Sequence, residues 1–230
     1  MGTTSIQTFG PSFKAVWTLA GKKKGIRKIK YTLYPPPHHQ SEDIQKMIEV
    51  VKQFPLAMLV TASEGTPFIT HIPVIYNSES NKLVAHIDRS NPQVASLVNG
   101  ANATVVFKGP DAYISPSIYT TEQLPTWNYL LVHVTGTIRL LHDPNVAKET
   151  MVVMTDFLEA PDYKYQLQKE DPKMDRLVHY IQAFEIENLS WEGKFKLSQD
   201  KNPEDFKRAK EALIRKNTES IRNFIETIYR

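Results

Sequence analysis

The chain has no cysteine among its 230 residues, so it forms neither disulfide bonds nor metal sites with thiolate ligands. No apolar run approaches the roughly 20 residues that cross a bilayer as a helix. No apolar signal-peptide region appears near the start of the sequence. These absences predict a protein of a reducing compartment, the cytoplasm, without a membrane segment.

Acidic residues are missing from the first 41 positions, which contain seven Lys and Arg residues. This segment therefore carries +7, and the net +3 of the whole chain leaves −4 for the remainder. A basic arm can contact nucleic-acid phosphates, or it can be a solvated extension. We predict a basic N-terminal extension over residues 1–30, and nucleic acid stays an alternative partner that no motif supports.

The signatures of the common enzyme classes are also missing, including G-x-G-x-x-G, the Walker loop, H-E-x-x-H and G-x-S-x-G. The seven histidines show no spacing typical of zinc, so we predict no metal site. His71 and His86 lie on neighbouring predicted strands. They can face one cavity, or they can be structural residues without a functional role. Asp88 can form an acid–base pair with His86 or an ion pair with Arg89. The catalytic candidates are therefore His71, His86 and Asp88.

Strand patterns and helix starts follow one another along the rest of the chain. Apolar or alternating runs predict strands near residues 56–61, 68–76, 83–87, 103–108, 113–119, 127–140 and 183–189. Helix starts are predicted at Ser41, Asp143-Pro144, Asp171-Pro172 and Asn202-Pro203, the last opening a C-terminal helix over residues 201–230. This order predicts a mainly β protein of the α+β class, a barrel or strongly curved sheet decorated by helices.

A candidate anion site lies between a predicted strand and a predicted helix. Asn91-Pro92 is expected to begin a helix that ends at Asn99-Gly100. Arg89 and Ser90 precede it, so a guanidinium and free backbone N–H groups can meet at the positive end of the helix dipole. Taken alone, however, this stretch favours a surface arginine beside an ordinary helix cap.

Two further stretches combine aromatic and polar residues. Trp127 and Asn128 lie at the start of a predicted strand, where the aromatic rings of this stretch can stack on a flat ligand. In residues 191–199, alternation places Lys194 and Lys196 on one side. These lysines are either a second anion contact or charges that protect an edge strand.

Seven motifs follow one another in the chain: L-Y-P-P-P-H-H from Leu33, F-P-L-A-M-L-V-T from Phe54, T-H-I-P-V from Thr70, H-I-D-R-S-N-P-Q from His86, F-K-G-P-D-A-Y-I-S-P-S-I-Y from Phe107, L-P-T-W-N-Y from Leu124 and E-G-K-F-K-L-S-Q from Glu192. In this order they resemble the PaiB family of FMN-binding split-barrel proteins. The resemblance covers roughly residues 31–200, which we predict to be the FMN-binding domain.

The resemblance implies a six-stranded antiparallel split β-barrel, a homodimer, and FMN at the subunit interface. It also implies a set of cofactor-binding residues with distinct roles. They are His71, Ile72 and Pro73 along the flavin ring, Arg89, Ser90, Asn91 and Gln93 at the phosphate, Trp127 and Asn128 closing the pocket from the partner subunit, and Lys194 and Gln199 as polar contacts.

The sequence departs from the family pattern at several aromatic positions. The family usually has Trp at the positions of Val94, Ile118 and Phe195, and Phe at the position of His39. Three functions stay open on this basis. The first is an FMN-binding protein that acts on or senses a small molecule, with flavin-dependent oxidoreductase activity as one form. The alternatives are a negative transcriptional regulator, as PaiB-like proteins are commonly described, and a flavin-free catalyst in the same pocket.

Overall fold

Long antiparallel strands form most of the structure. The computed structural model describes residues 36–218. Its strands are β1 (Gln40–Ser41), β2 (Leu56–Ser63), β3 (Thr66–Asn77), β4 (Lys82–Asp88), β5 (Asn102–Ile114), β6 (Thr126–Leu141) and β7 (Ile181–Lys196). Its α-helices are α1 (Ile44–Gln53), α2 (Pro144–Glu159), α3 (Pro172–Leu177) and α4 (Pro203–Thr218). The predicted basic extension, and the predicted C-terminal helix beyond residue 218, lie outside the described residues.

The strands close into a ring. They pair in the order β1-β7-β4-β3-β2-β5-β6, and β6 pairs in turn with β7. Strand β7 closes the ring because its first half lies between β4 and β6 and its second half lies between β6 and β1. The prediction of a six-stranded antiparallel split barrel with helices is confirmed.

Alternate side chains of the ring strands fill the inside of the barrel. Phe107 of β5, Phe184 of β7 and Leu59 of β2 are fully buried there. Met47 and Val51 of α1 join the same cluster and cover one end of the barrel. The ring therefore encloses a packed apolar core.

Helices α2 and α4 cover separate parts of the outside. Met154 of α2 packs on Ile75 of β3 and Val84 of β4. Ala209 of α4 packs on Ala112 and Ile114, near the end of β5. No helix between residues 36 and 218 is both long and apolar enough to cross a membrane.

The first helix starts later than predicted. Its N-cap is Asp43, whose Oδ1 accepts hydrogen bonds from the N–H groups of Gln45 (3.0 Å) and Lys46 (3.3 Å). The predicted cap, Ser41, is wrong because this residue belongs to β1 and pairs with Gly193. Asp and Ser are both good caps, so local preference alone could not decide between them.

The helix predicted from Asn91 to Asn99 is wrong in length. Asn91 caps a short 3-10 helix, Pro92–Ser96, through a 2.9 Å bond from the N–H group of Gln93. The backbone becomes extended at Leu97, whose side chain is buried in the barrel core. Packing of this residue ends the helix after little more than one turn.

Two strand predictions also change. The predicted strand at residues 183–189 and the segment after it form one strand, β7, which continues through Asn188 at φ +57. The strand predicted at residues 113–119 ends at Ile114, and Pro116 begins a 3-10 helix instead. Proline fits that position because it has no N–H group to give to a sheet.

Candidate functional site

One outer face of the barrel crosses five strands. Direct pairing joins His71 of β3 to Met58 of β2, Met58 to Val106 of β5, Val106 to His133 of β6, and His133 to Glu192 of β7. Directly paired side chains lie on the same face of a sheet. This row therefore forms a continuous outer surface, on the side opposite the barrel core.

Large apolar side chains on this surface are exposed. Leu56 is 66% exposed and pairs with Pro73, while Ile69 is 57% exposed and pairs with Val60. We call this surface the open face and define it by Leu56, Met58, Val60, Ile69, His71, Val106 and His133. Contiguous exposed apolar surface typically marks a site of interaction with a ligand or a partner protein.

Aromatic and charged residues border the open face at the start of β6. Trp127, which is 50% exposed, donates from Nε1 to Oδ1 of Asp111 at 2.8 Å. Nζ of Lys108 lies 2.7 Å from the other carboxylate oxygen. Burial raises the pKa of Asp111, but the bonds from Lys108 and Trp127 outweigh it and hold the pKa below its usual value. The charged carboxylate thus fixes the indole ring beside the face.

Lys194 lies on the same outer side of the barrel. Its Nζ is 5.3 Å from the centre of the Tyr129 ring, a cation–π contact. One side of β6 carries Trp127, Tyr129, Leu131, His133 and Thr135, while Asn128, Val132 and Val134 on the other side are buried.

The two candidate catalytic histidines have different surroundings. His71 is exposed, whereas His86 is largely covered and pairs with Ala183, which packs against Ala147 and Val178. Burial lowers the pKa of His86, and its Nδ1 is buried with no hydrogen-bond partner among residues 36–218. His86 is therefore held neutral.

Asp88 forms a local turn with Ser90. Its Oδ1 accepts bonds from the Ser90 N–H group (2.7 Å) and hydroxyl (2.6 Å), and these bonds lower the pKa of Asp88. In the described part of the chain Asp88 bonds neither His86 nor Arg89. Arg89 donates from Nε to the carbonyl of Ile181 at 2.6 Å, and both Arg89 and Ser90 are exposed.

Two of the predicted phosphate ligands fasten the 3-10 helix to the barrel. Asn91 donates from Nδ2 to the hydroxyl of Thr70 at 3.1 Å. Gln93 is 1% exposed, and its Nε2 lies 3.1 Å from the carbonyl of Leu59 and 3.0 Å from the hydroxyl of Thr61. Both side chains are thereby engaged within the fold.

The remaining predicted residues divide between the interior and the surface. Ile72 packs in the barrel core, while Pro73 is half-buried on the outer side. Asn128 is buried, and its Oδ1 accepts a 3.1 Å bond from the hydroxyl of Ser198. Gln199 bonds the backbone near the end of β7. The structure thus brings His71, Pro73 and Trp127 to the outer surface and keeps Ile72, Asn128 and Gln93 inside.

Sequence reasoning missed Leu56, Met58 and Val106 as surface residues. The signal was present in β2, whose near-continuous apolar run supplies Ala57 and Leu59 to the core. When a strand is apolar on both faces, the face turned away from the core is also expected to be buried against something.

The fold and the open face define a split-barrel protein with an exposed, partly apolar outer surface. Residues 33–188 match the sequence profile of the family described as "Putative FMN-binding domain". Because this match covers more than half of the chain, the protein belongs to that family, and its resemblance to the PaiB family is confirmed.

Individual relatives agree with this assignment. The chain is 27% identical over 197 residues to protease synthase and sporulation protein PAI 2 of Bacillus subtilis (strain 168). The match covers 84% of this chain and 95% of the relative. It is 25% identical over 208 residues to the uncharacterized protein AN0679 of Emericella nidulans, covering 70% and 82% of the two chains.

Solved structures share the fold at low sequence identity. An FAD and heme binding protein of Mycobacterium smegmatis superposes with a TM-score of 0.57 and 18% identity, covering 74% of this chain and 80% of that one. The flavocytochrome Anf3 of Azotobacter vinelandii gives a TM-score of 0.56 and 16% identity, covering 74% and 75%. These similarities establish the split-barrel fold.

Proposed function

We propose that this protein binds FMN on the open face, where a second copy of the chain completes the site, and acts on or senses a small molecule. The observation that carries the proposal is an outer surface across five strands, with exposed apolar side chains on β2 and β3, in a member of the family described as "Putative FMN-binding domain". Flat apolar and aromatic surface suits a planar ring system.

The residues on this surface fit a flavin. In this proposal the flavin ring rests against His71 and Pro73, and the indole of Trp127, fixed by Asp111, borders it. Arg89 and Ser90 are the exposed members of the predicted phosphate set, and an arginine fork suits a phosphate group. Bound FMN supplies hydride or electron transfer, so flavin-dependent oxidoreductase activity is the form of the function that we favour.

Flavin binding is tested by titrating the purified full-length chain with FMN and following flavin fluorescence and absorption. We expect saturable binding, weakened about tenfold in Trp127→Ala because an aromatic contact of about 1–1.5 kcal/mol is lost. The control is Tyr165→Ala, which removes an aromatic ring about as exposed as that of Trp127 from a segment outside the open face. We expect its affinity for FMN to be unchanged.

A wild-type chain that takes up no FMN would refute the proposal. Equal weakening in the Tyr165 variant would show that the Trp127 effect is not local. Oxidoreductase activity is then tested by mixing the FMN-loaded chain with NADH or NADPH and following loss of the oxidised flavin band.

A further inference from the structure

We propose that a second pocket, at the end of β7, binds a small anion that carries a phosphate or carboxylate group. The pocket encloses about 250 Å³ between the 3-10 helix Pro37–His39, the segment 123–126 and the loop after β7. Its ionisable lining residues are His39, Lys196, Asp200 and Lys201. The pocket goes beyond the proposed flavin function, because none of these residues belongs to the open face.

The fixed charges of the pocket favour an anion. Lys196, the last residue of β7, forms no ion pair with the described residues. Nζ of Lys201 lies 2.6 Å from a carboxylate oxygen of Asp200, so those two charges offset each other. Lys196 and Lys201 set against Asp200 leave a charge of +1 before His39 is counted.

The positive charge around the pocket affects the pKa of His39. Burial lowers the pKa of His39, and the charges of His38 and Lys196 lower it further, as does that of Lys194. Asp200 acts in the opposite direction but does not outweigh them. An anion seated among these cations would favour the protonated form of His39, so its binding would be visible as a raised pKa.

A buried polar network supports one wall of the pocket. Ser198 is buried, donates to Oδ1 of Asn128 at 3.1 Å and lies 3.3 Å from the hydroxyl of Tyr119. Nδ2 of Asn128 is buried without a partner among residues 36–218. Buried donors are almost always satisfied in native proteins. The bond to Asn128 fixes the Ser198 side chain at the wall of the pocket.

The size and the remaining wall define the kind of ligand. Sites for drug-sized ligands typically enclose about 300–1,000 Å³, and this pocket is smaller. Leu124 and Pro125 add an apolar side to the cationic one. We therefore assign a compact organic or inorganic anion to this pocket, and not a second flavin.

The test uses NMR of the histidine side chains in the full chain. Inorganic phosphate and acetate are titrated separately, with sodium chloride at matched ionic strength as the reference. We expect saturable shifts of the His39 signals and a higher His39 pKa with at least one of the two anions. Lys196→Gln should weaken that binding about tenfold, since it removes a charge-assisted contact. Lys173→Gln, an exposed lysine on α3, makes the same charge change and should have no effect.

Three results would overturn the proposal. They are His39 shifts no larger than those in sodium chloride, equal phosphate or acetate affinity in the Lys196 and Lys173 variants, and an affinity for FMN, but not for riboflavin, that falls in Lys196→Gln. The last would show that this pocket holds the flavin phosphate. Failure of the chain to bind FMN leaves the His39 titration unaffected, so the two proposals fail separately. Thermal melts of both variants check that the fold is intact.

Discussion

At the scale of single residues, Asp205 joins α4 to the loop before β6. Its Oδ1 accepts bonds from the N–H group (2.6 Å) and hydroxyl (2.8 Å) of Thr120, and its Oδ2 accepts bonds from Thr121 (2.6 Å) and Asn202 (3.0 Å). Burial alone would raise the pKa of Asp205, but these bonds outweigh it and lower the pKa to about 2. A carboxylate with four donors is a strong anchor for the helix.

We expect Asp205→Asn to lower the melting temperature by several degrees at pH 7. The folded-state pKa of Asp205 lies below its ordinary value of 3.8, so its charge stabilises the fold above about pH 4. That contribution is lost as the pH falls towards about 2. The wild type and the variant should therefore converge in thermal melts between pH 4 and pH 2.

The matched control is Asp171→Asn, in which the side chain caps α3 through a single 2.9 Å bond from the N–H group of Lys173. Asn and Asp are similar caps, so we expect little change. A difference between Asp205→Asn and wild type that stays constant from pH 7 to pH 2 would contradict the assigned role of the charge.

At the scale of elements, Gly136 permits the irregular pairing of β6 with β7. The register shifts between Thr135 and Thr137, and a Cβ at Gly136 would meet the carbonyl oxygen of Glu187 and lie 2.7 Å from Cγ2 of Ile186. The carbonyl belongs to the backbone of a strand that is paired on both sides nearby, so it cannot move aside cheaply.

Gly136→Ala should therefore destabilise the protein by about 2 kcal/mol, the usual cost of overpacking. Chemical denaturation followed by circular dichroism measures this free energy of unfolding. Ser190→Ala, at an exposed position on the partner strand, should change it by less than about 0.5 kcal/mol. An unchanged stability of Gly136→Ala would mean that the strands separate without cost at this point.

Helix starts were more predictable than helix lengths. Asp143 and Asp171 each cap a helix with proline behind it, as the sequence indicated. Asn91-Pro92 has the same local signal but yields five residues of 3-10 helix, because Leu97 packs in the barrel core and Gln93 is held by β2 and β3. At these Asp-Pro and Asn-Pro positions local chemistry sets where the helix begins, whereas tertiary contacts set where it ends.

The candidate site was predictable only in part for a similar reason. The motifs around His71 and Trp127 indicated residues that do reach the outer surface. They could not show that Gln93 turns inward or that Leu56 stays exposed. Which of two apolar faces becomes the core depends on how the sheet closes, and closure is a property of all six ring strands.

At the scale of the whole molecule, the open face is an exposed, partly apolar surface among residues 36–218. Its apolar residues lie on three neighbouring strands, β3, β2 and β5, while α2 and α4 cover other parts of the barrel. A surface of this kind costs free energy in water and is normally buried against a ligand or a partner. Pairing of two copies through their open faces is our proposal for what covers it, and it would also place two chains around each flavin.

Ile69→Lys should convert the dimer to a monomer, because two lysine charges would be desolvated in the interface without a partner. Light scattering after gel filtration measures the mass, and circular dichroism confirms that the barrel is intact. Val153→Lys on α2 changes a comparably exposed apolar residue, 47% against 57%, and should leave the mass unchanged.

If wild type is already a monomer at micromolar concentration, the dimer proposal is wrong, and the open face must then bind its ligand within a single chain. If Ile69→Lys stays a dimer while Val153→Lys dissociates, the interface lies on the α2 side instead.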